Sequence, residues 1–223
     1  DGSMSAVNGA AEKWEMSADG MTWTFWLRKG ITFHDGTELS AEDVKWSLEM
    51  VTKPESIAAF AARLRATIKE IEVADPHTLI IRTHKPDLWL AQDLSMAAGY
   101  EGVILPKKYF EQVGADGFAA KAIGTGPYKW VKGLAGSYIQ LEAVDKHWAE
   151  GVPKYKRLTY SVVPEENTRI AMIQTGEAEI ISASRERVPD LQARGFNVFV
   201  KERGSVMGCY FHQQWEGHPV GDR

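Results

Sequence analysis

Residues 22–44 read TWTFWLRKGITFHDGTELSAEDV, and no other stretch of the chain limits its fold so tightly. The first seven, 22–28, are dense in β-branched and aromatic residues, which suit a pleated, half-buried surface. Asp35-Gly36 then supplies turn chemistry. Ser40-Ala41-Glu42-Asp43 brings a hydroxyl and carboxylates to the N–H groups left free where a helix opens. A strand, a turn and a capped helix in so short a span predict a rigid local unit.

The same rules extend in both directions. Strands over 11–17 and 22–28, joined by Ala18-Asp19-Gly20, predict a hairpin. A helix over 41–52 places Val44, Leu48 and Val51 on one face, with Pro54 just beyond its end. Further helices are predicted over 56–66, 88–97 and 106–113, with a weaker one over 118–123, and strands over 68–73 and 78–83 flank Asp75-Pro76-His77. The Gly124-Thr125-Gly126-Pro127 cluster marks an abrupt change of backbone and the best domain boundary. Strands over 128–131, 138–144 and 158–163 follow, then a helix over 166–175 that Gly176 terminates. A strand over 178–181, a helix over 185–193 and strands over 196–200 and 206–211 complete the pattern. The strand–helix alternation of 158–200 points to a βαβ arrangement on a mixed sheet.

Composition excludes several classes of function. The net charge of -4 and pI near 5.9 do not suit nucleic acid, whose binders carry clustered positive charge. No apolar run approaches the roughly 20 residues that span a bilayer, and residues 1–5 lack the basic and apolar regions of a secretory leader. Cys209 is the only cysteine, so no intramolecular disulfide forms, and its apolar neighbours Val206 to Phe211 suit a core thiol better than a nucleophile.

His34 with Asp35 and Glu38 reads as a surface turn rather than a metal site, because no second histidine lies near in sequence. His77, His84 and His147 are isolated, His212 and His218 flank a polar tail, and no metal or other cofactor is expected. Glu165 and Glu166 open a helix and complement its dipole. There is neither a G-x-S-x-G nucleophile elbow nor a P-loop, so no residue set signals catalysis.

Four stretches, taken in order, resemble one family. AEKWEMSADGMTWTFWLRKGITFHDGTELSAEDVKWSLEMV, GTGPY at 124–128, DKHW at 145–148 and NTRIAMIQTGEAEI at 167–180 are similar to the extracytoplasmic solute-binding proteins of ABC importers, family 5, the peptide-, dipeptide-, oligopeptide- and nickel-binding type. The resemblance spans residues 10–182. It implies an incomplete type II periplasmic-binding-protein-like fold of the α/β (α+β mixed) class, a fragment without its second lobe. In that layout 1–9 is a leader or remnant, 10–123 an α+β subdomain of the first lobe, 124–212 its mixed-sheet part, and 213–223 a crossing segment toward the second lobe. It further implies a receptor that captures a peptide or similar small polar solute for a membrane permease, without transforming it. The place would be the periplasm, or the outer surface of a Gram-positive cell under a membrane anchor.

Candidate site residues follow from both readings. Ser182-Ala183-Ser184-Arg185 falls at a strand-to-helix corner, where helix N–H groups and the Arg185 guanidinium suit a carboxylate. The resemblance places this stretch at the cleft; the alternative is an ordinary cap in which Ser184 serves the helix. Tyr128, with Trp130, is either a wall of the cleft or sheet packing. Trp148 is a stacking surface or, more simply, an anchor for its loop. Tyr100, at the end of SMAAGY, faces the interlobe space or closes a helix stopped by Gly99. Two competing functions stay open: a hydrolase using Glu165 or Glu166, and a stand-alone interaction module. Exposed sheet edges would also permit self-association.

Overall fold

The computed structural model describes residues 9–95, 101–149 and 151–200. The chain divides into two compact units, residues 1–162 and 163–223.

The first unit opens with the predicted hairpin, β1 (Ala11–Met16) and β2 (Thr22–Leu27). Its turn is set by Asp19, which accepts from the Ser17 hydroxyl and the Met21 N–H, and by Gly20 at φ 70°, a left-handed conformation that costs glycine nothing. β3 (Ile68–Asp75) and β4 (Thr78–Thr83) form a second hairpin. β4 pairs with β2, which gives an antiparallel sheet in the order β1-β2-β4-β3.

Strict alternation shows why this sheet forms. Trp23, Phe25 and Leu27 of β2 are buried, as are Leu79, Ile81 and Thr83 of β4, while the residues between them are partly exposed. The register sets Trp23 opposite Ile81 and Phe25 opposite Leu79, so both strands turn the same face inward. Ile31, Phe33 and Leu39 from the loop join Leu48, Leu64 and Leu90 to complete the core. Burying each such side chain contributes about 1.5–3 kcal/mol.

Helix α1 (Ala41–Val51) starts where the capping signal predicts. The Ser40 N–H donates to Asp43 Oδ2 at 3.0 Å, and Asp43 Oδ1 accepts from the Lys107 N–H at 3.0 Å, which ties α1 to the later helix α4 (Lys107–Ala120). α2 (Ala61–Thr67) is shorter than the predicted 56–66, since the Phe60 N–H just before it is taken by the buried Glu101 carboxylate. α3 (Leu90–Asp93) is a single turn of the predicted 88–97. α4 joins the two short helices expected over 106–113 and 118–123, and Gly114, at φ 70° and ψ -179°, breaks its regularity.

Beyond the Gly124–Pro127 turn lies a second antiparallel sheet, β5 (Tyr128–Leu134), β6 (Tyr138–Ala143) and β7 (Arg157–Ser161), in that order.

The second unit contains α5 (Glu166–Thr175), closed by Gly176 at φ 77°, then a 3-10 turn at Arg185–Arg187 and α6 (Val188–Ala193). The strands expected over 178–181 and 196–200 do not form, and both segments are irregular. A strand exists only with a hydrogen-bonded neighbour, and among the described residues no chain pairs with either. Both sheets of the described residues are accordingly antiparallel, and the parallel βαβ pairing read from 158–200 is absent there. The strand expected over 206–211, with Cys209, lies outside the described residues.

Candidate ligand-binding site

In the second unit, α5 holds the corner at 182–185 through its own first turns. Glu166 reaches the corner with both carboxylate oxygens: Oε1 accepts from the Ser184 N–H and Oε2 lies 3.3 Å from the Ser184 hydroxyl. Arg187 comes back to the same helix, 3.6 Å from Glu166 Oε2 and 2.9 Å from Asn167 Oδ1. Arg169 completes the brace, donating to the carbonyls of Ser182, Val163 and Pro164. The Ser184 N–H, followed by its hydroxyl and Arg187, holds the Glu166 carboxyl below the usual carboxylate range.

This geometry decides what the corner offers. Ser184 is engaged inward, so the N–H at the start of the turn already has an internal anion. Ser182, Ala183 and Arg185 instead line a hollow of about 950 Å³, whose other walls include Ile173, Leu191 and Phe196. Ser182, Ala183 and Arg185 are exposed, and the Arg185 side chain has no bonded partner among the described residues. The result is a concavity with mostly apolar walls that also carries the Ser182 hydroxyl, the Arg185 guanidinium and the Glu179 carboxylate, a lining with groups for both the carboxylate and the amino end of a small polar solute.

The remaining candidates sit elsewhere. Tyr128 is in the first unit, where its hydroxyl accepts from the Tyr155 N–H at 3.1 Å. Trp130 folds its ring over Gly133, leaving no room there for a Cβ. The Trp148 Nε1–H donates to the Thr125 carbonyl at 3.1 Å and its ring packs against the core, which gives it an anchor's contacts. Tyr100 lies outside the described residues. Among the described residues, no three His, Cys, Asp or Glu side chains gather as a metal site.

Sequence reasoning read Glu166 as a solvated first-turn carboxylate and did not single out Arg169. Their partners lie 18 and 13 residues along the chain, beyond the reach of any local pattern.

The description "Bacterial extracellular solute-binding proteins, family 5 Middle" fits residues 5–222, almost the whole chain. The chain belongs to this family. Among relatives of this family 5 protein, the glutathione-binding protein GsiB of Salmonella choleraesuis (strain SC-B67) is 30% identical over 211 residues, which are 94% of this chain and 40% of that protein. Among solved structures, MoaA in complex with mannopinic acid, from A.tumefacien R10, superposes with a TM-score of 0.76 at 28% identity, covering 86% of this chain and 39% of that one. NikZ from Campylobacter jejuni in complex with Ni(L-His) gives 0.73 at 26% identity, covering 84% and 37%. The fold is therefore that of the type II periplasmic binding proteins, and the chain spans about 40% of the length of the curated relatives it matches. GsiB is a binding protein by name. No helix among the described residues is long and apolar enough to cross a membrane.

Proposed function

We propose that this family 5 chain is part of the solute receptor of an ABC-type importer, and that it works outside the cytoplasm, in the periplasm or at the cell surface. The receptor takes a small peptide or related solute with a free carboxylate and passes it unchanged to a membrane permease. The observation that carries the ligand class is the hollow beside Ser182, Ala183 and Arg185, whose guanidinium has no bonded partner among the described residues. Glutathione, mannopinic acid and L-histidine, named for three relatives, all bear carboxylates, which supports the same chemistry. Tyr128 and Tyr100 stand as further candidates for the ligand face.

The hydrolase reading, in which Glu165 or Glu166 works with a nearby acid, loses support at Glu166, because both of its carboxylate oxygens are already engaged by Ser184 and Arg187 and neither is free to attack a substrate or take its proton. β1 and β3 edge one sheet and β5 and β7 the other, and self-association through such edges is a secondary proposal that sedimentation at high concentration tests directly.

The central test is a titration of the chain with glutathione, dipeptides and their carboxyl-amidated forms, followed by amide NMR. Free carboxylates should shift the signals of 182–185, with amidated forms and the Arg185→Ala variant silent. Shifts that ignore the carboxylate, or cleavage of any ligand, would overturn the reading.

A further inference from the structure

Residues 179–183 line one side of the hollow beside Arg185, and they do so without regular structure. Helix α5 and its Gly176 stop lie before them, and the 3-10 turn begins after them at Arg185. Neither a strand ladder nor a helical turn holds this stretch. Among the described residues its peptide groups make no hydrogen bond to other backbone. Packing does little to replace that support, since Ile180 is 87% exposed and Ser182 and Ala183 are exposed beside it. One tie remains: the Ser182 carbonyl accepts from Arg169 Nε at 2.9 Å.

The rest of the Arg169 guanidinium is fixed at the entry to its own helix. Nη1 carries two hydrogens. It gives one to the Val163 carbonyl at 2.8 Å and the other to the Pro164 carbonyl at 2.6 Å. Both acceptors belong to the irregular segment just before α5. The planar fork thus stands on that segment and points its remaining arm, Nε, at the wall of the hollow. An ammonium on a flexible stem is a point charge and does not reproduce three such directions at once. Glu166 does a different job, holding Ser184 beyond the end of the wall.

We propose that Arg169 is a positioning residue for solute capture: it touches no ligand, but holds the 179–183 wall, and with it the Ser182 hydroxyl, in place before the solute arrives. This role rests on the reading of the hollow as a receptor site for carboxylate-bearing solutes. A wall already in place adds no ordering cost to binding. With the fork broken, the stretch has no other hydrogen bond to keep its shape, so it must be ordered by the ligand and affinity falls.

The test uses the full 223-residue chain. In the native chain the Arg169 Nε–H should give a distinct, slowly exchanging NMR signal. The Ser182 and Ala183 amides should show 15N order parameters of about 0.85, the value of rigid backbone, and Arg169→Lys should lower them toward about 0.6. The same variant should bind glutathione about tenfold more weakly, the scale of one lost hydrogen bond to a charged group. Order parameters in α5 and α6 should stay unchanged, and saturating glutathione should restore those of 182 and 183, a recovery that general loss of the fold would not show. An Arg169 Nε–H in fast exchange overturns the proposal without any variant. If the native chain bound glutathione and its carboxyl-amidated form alike, the receptor reading and this role would fall together. If it preferred the free acid while Arg169→Lys changed neither order nor affinity, only the role of Arg169 would fall.

Discussion

The two ends of this chain solve the same burial problem with unequal success. Around β2 and β4, alternate residues meet across the sheet and vanish from solvent: Ile31, Leu39, Leu64, Ile81 and Leu90 are all 0% exposed. In residues 163–200, only Leu191 is buried, while Ile180 and Phe199 stand 87% and 95% exposed. Both regions are comparably apolar in sequence, so hydrophobicity alone does not make a core. What differs is partnership: every strand of the first region has a ladder neighbour, whereas the apolar segments at 178–181 and 196–200 have none among the described residues. The second region is held instead by polar braces from Glu166 and Arg169. A core of this first kind resists perturbation through packing, and a braced corner through a few hydrogen bonds.

The contrast is most exposed to attack at Ile81. Truncating it to alanine removes a fully buried side chain set against Trp23 and Ile71 across the sheet. Ile81→Ala should cost about 2–5 kcal/mol in chemical denaturation of the first unit. A smaller step comes from the α1 cap. Asp43→Ala loses acceptors for both the Ser40 and the Lys107 N–H groups, and should cost about 1–2 kcal/mol by the same measurement. If Asp43→Ala proved as damaging as Ile81→Ala, the first region would owe its stability to polar ties as much as the second.

That division also explains what the sequence made legible. Period-2 alternation and the Ser40 cap are local, so β1 to β4, α1 and α5 with its Gly176 stop could be read within a residue or two. The family could be read as well, because its motifs are contiguous runs. Of the candidate stretch 182–185, local pattern gave the turn but not its bonds: Ser182, Ala183 and Arg185 border a hollow, while the inward turn of Ser184 depends on Glu166, 18 residues away. The hydrogen bond between the Gly124 N–H and His34 Nδ1 spans 90 residues, and no periodicity encodes such a contact. The strands at 178–181 and 196–200 carry apolar patterning, yet pattern records which residues suit a strand and not whether a neighbour is there to pair with.

The Glu166 brace responds to pH in a direction its bonds dictate. Its folded carboxyl is held below the unfolded value, so its contribution is fully present above the ordinary glutamate range and fades as pH falls through the lower, folded value. Exchange protection of the Ser184 amide should therefore survive mild acid and collapse only in stronger acid. Glu166→Gln, which keeps an acceptor but not the charge, should lose part of that protection at neutral pH and remove its pH dependence. An unchanged acid profile in the variant would mean that Glu166 does not hold the corner.

The smallest effect should come from Phe199. At 95% exposure its ring has little surface left to lose, so Phe199→Ser should change the stability of this chain by no more than about 0.5 kcal/mol. The same substitution near Ile81 would be ruinous, which makes Phe199 the sharpest probe of whether the second region is a core awaiting partners or a surface in its own right. In a longer protein carrying this sequence, a stability loss of about 3 kcal/mol or more on Phe199→Ser, set against near-neutrality in this chain, would show that Phe199 is buried by segments outside residues 1–223. Near-neutrality in both would make the apolar exposure of 178–200 intrinsic to the protein's surface, and the hollow beside Arg185 would then be walled by this region alone.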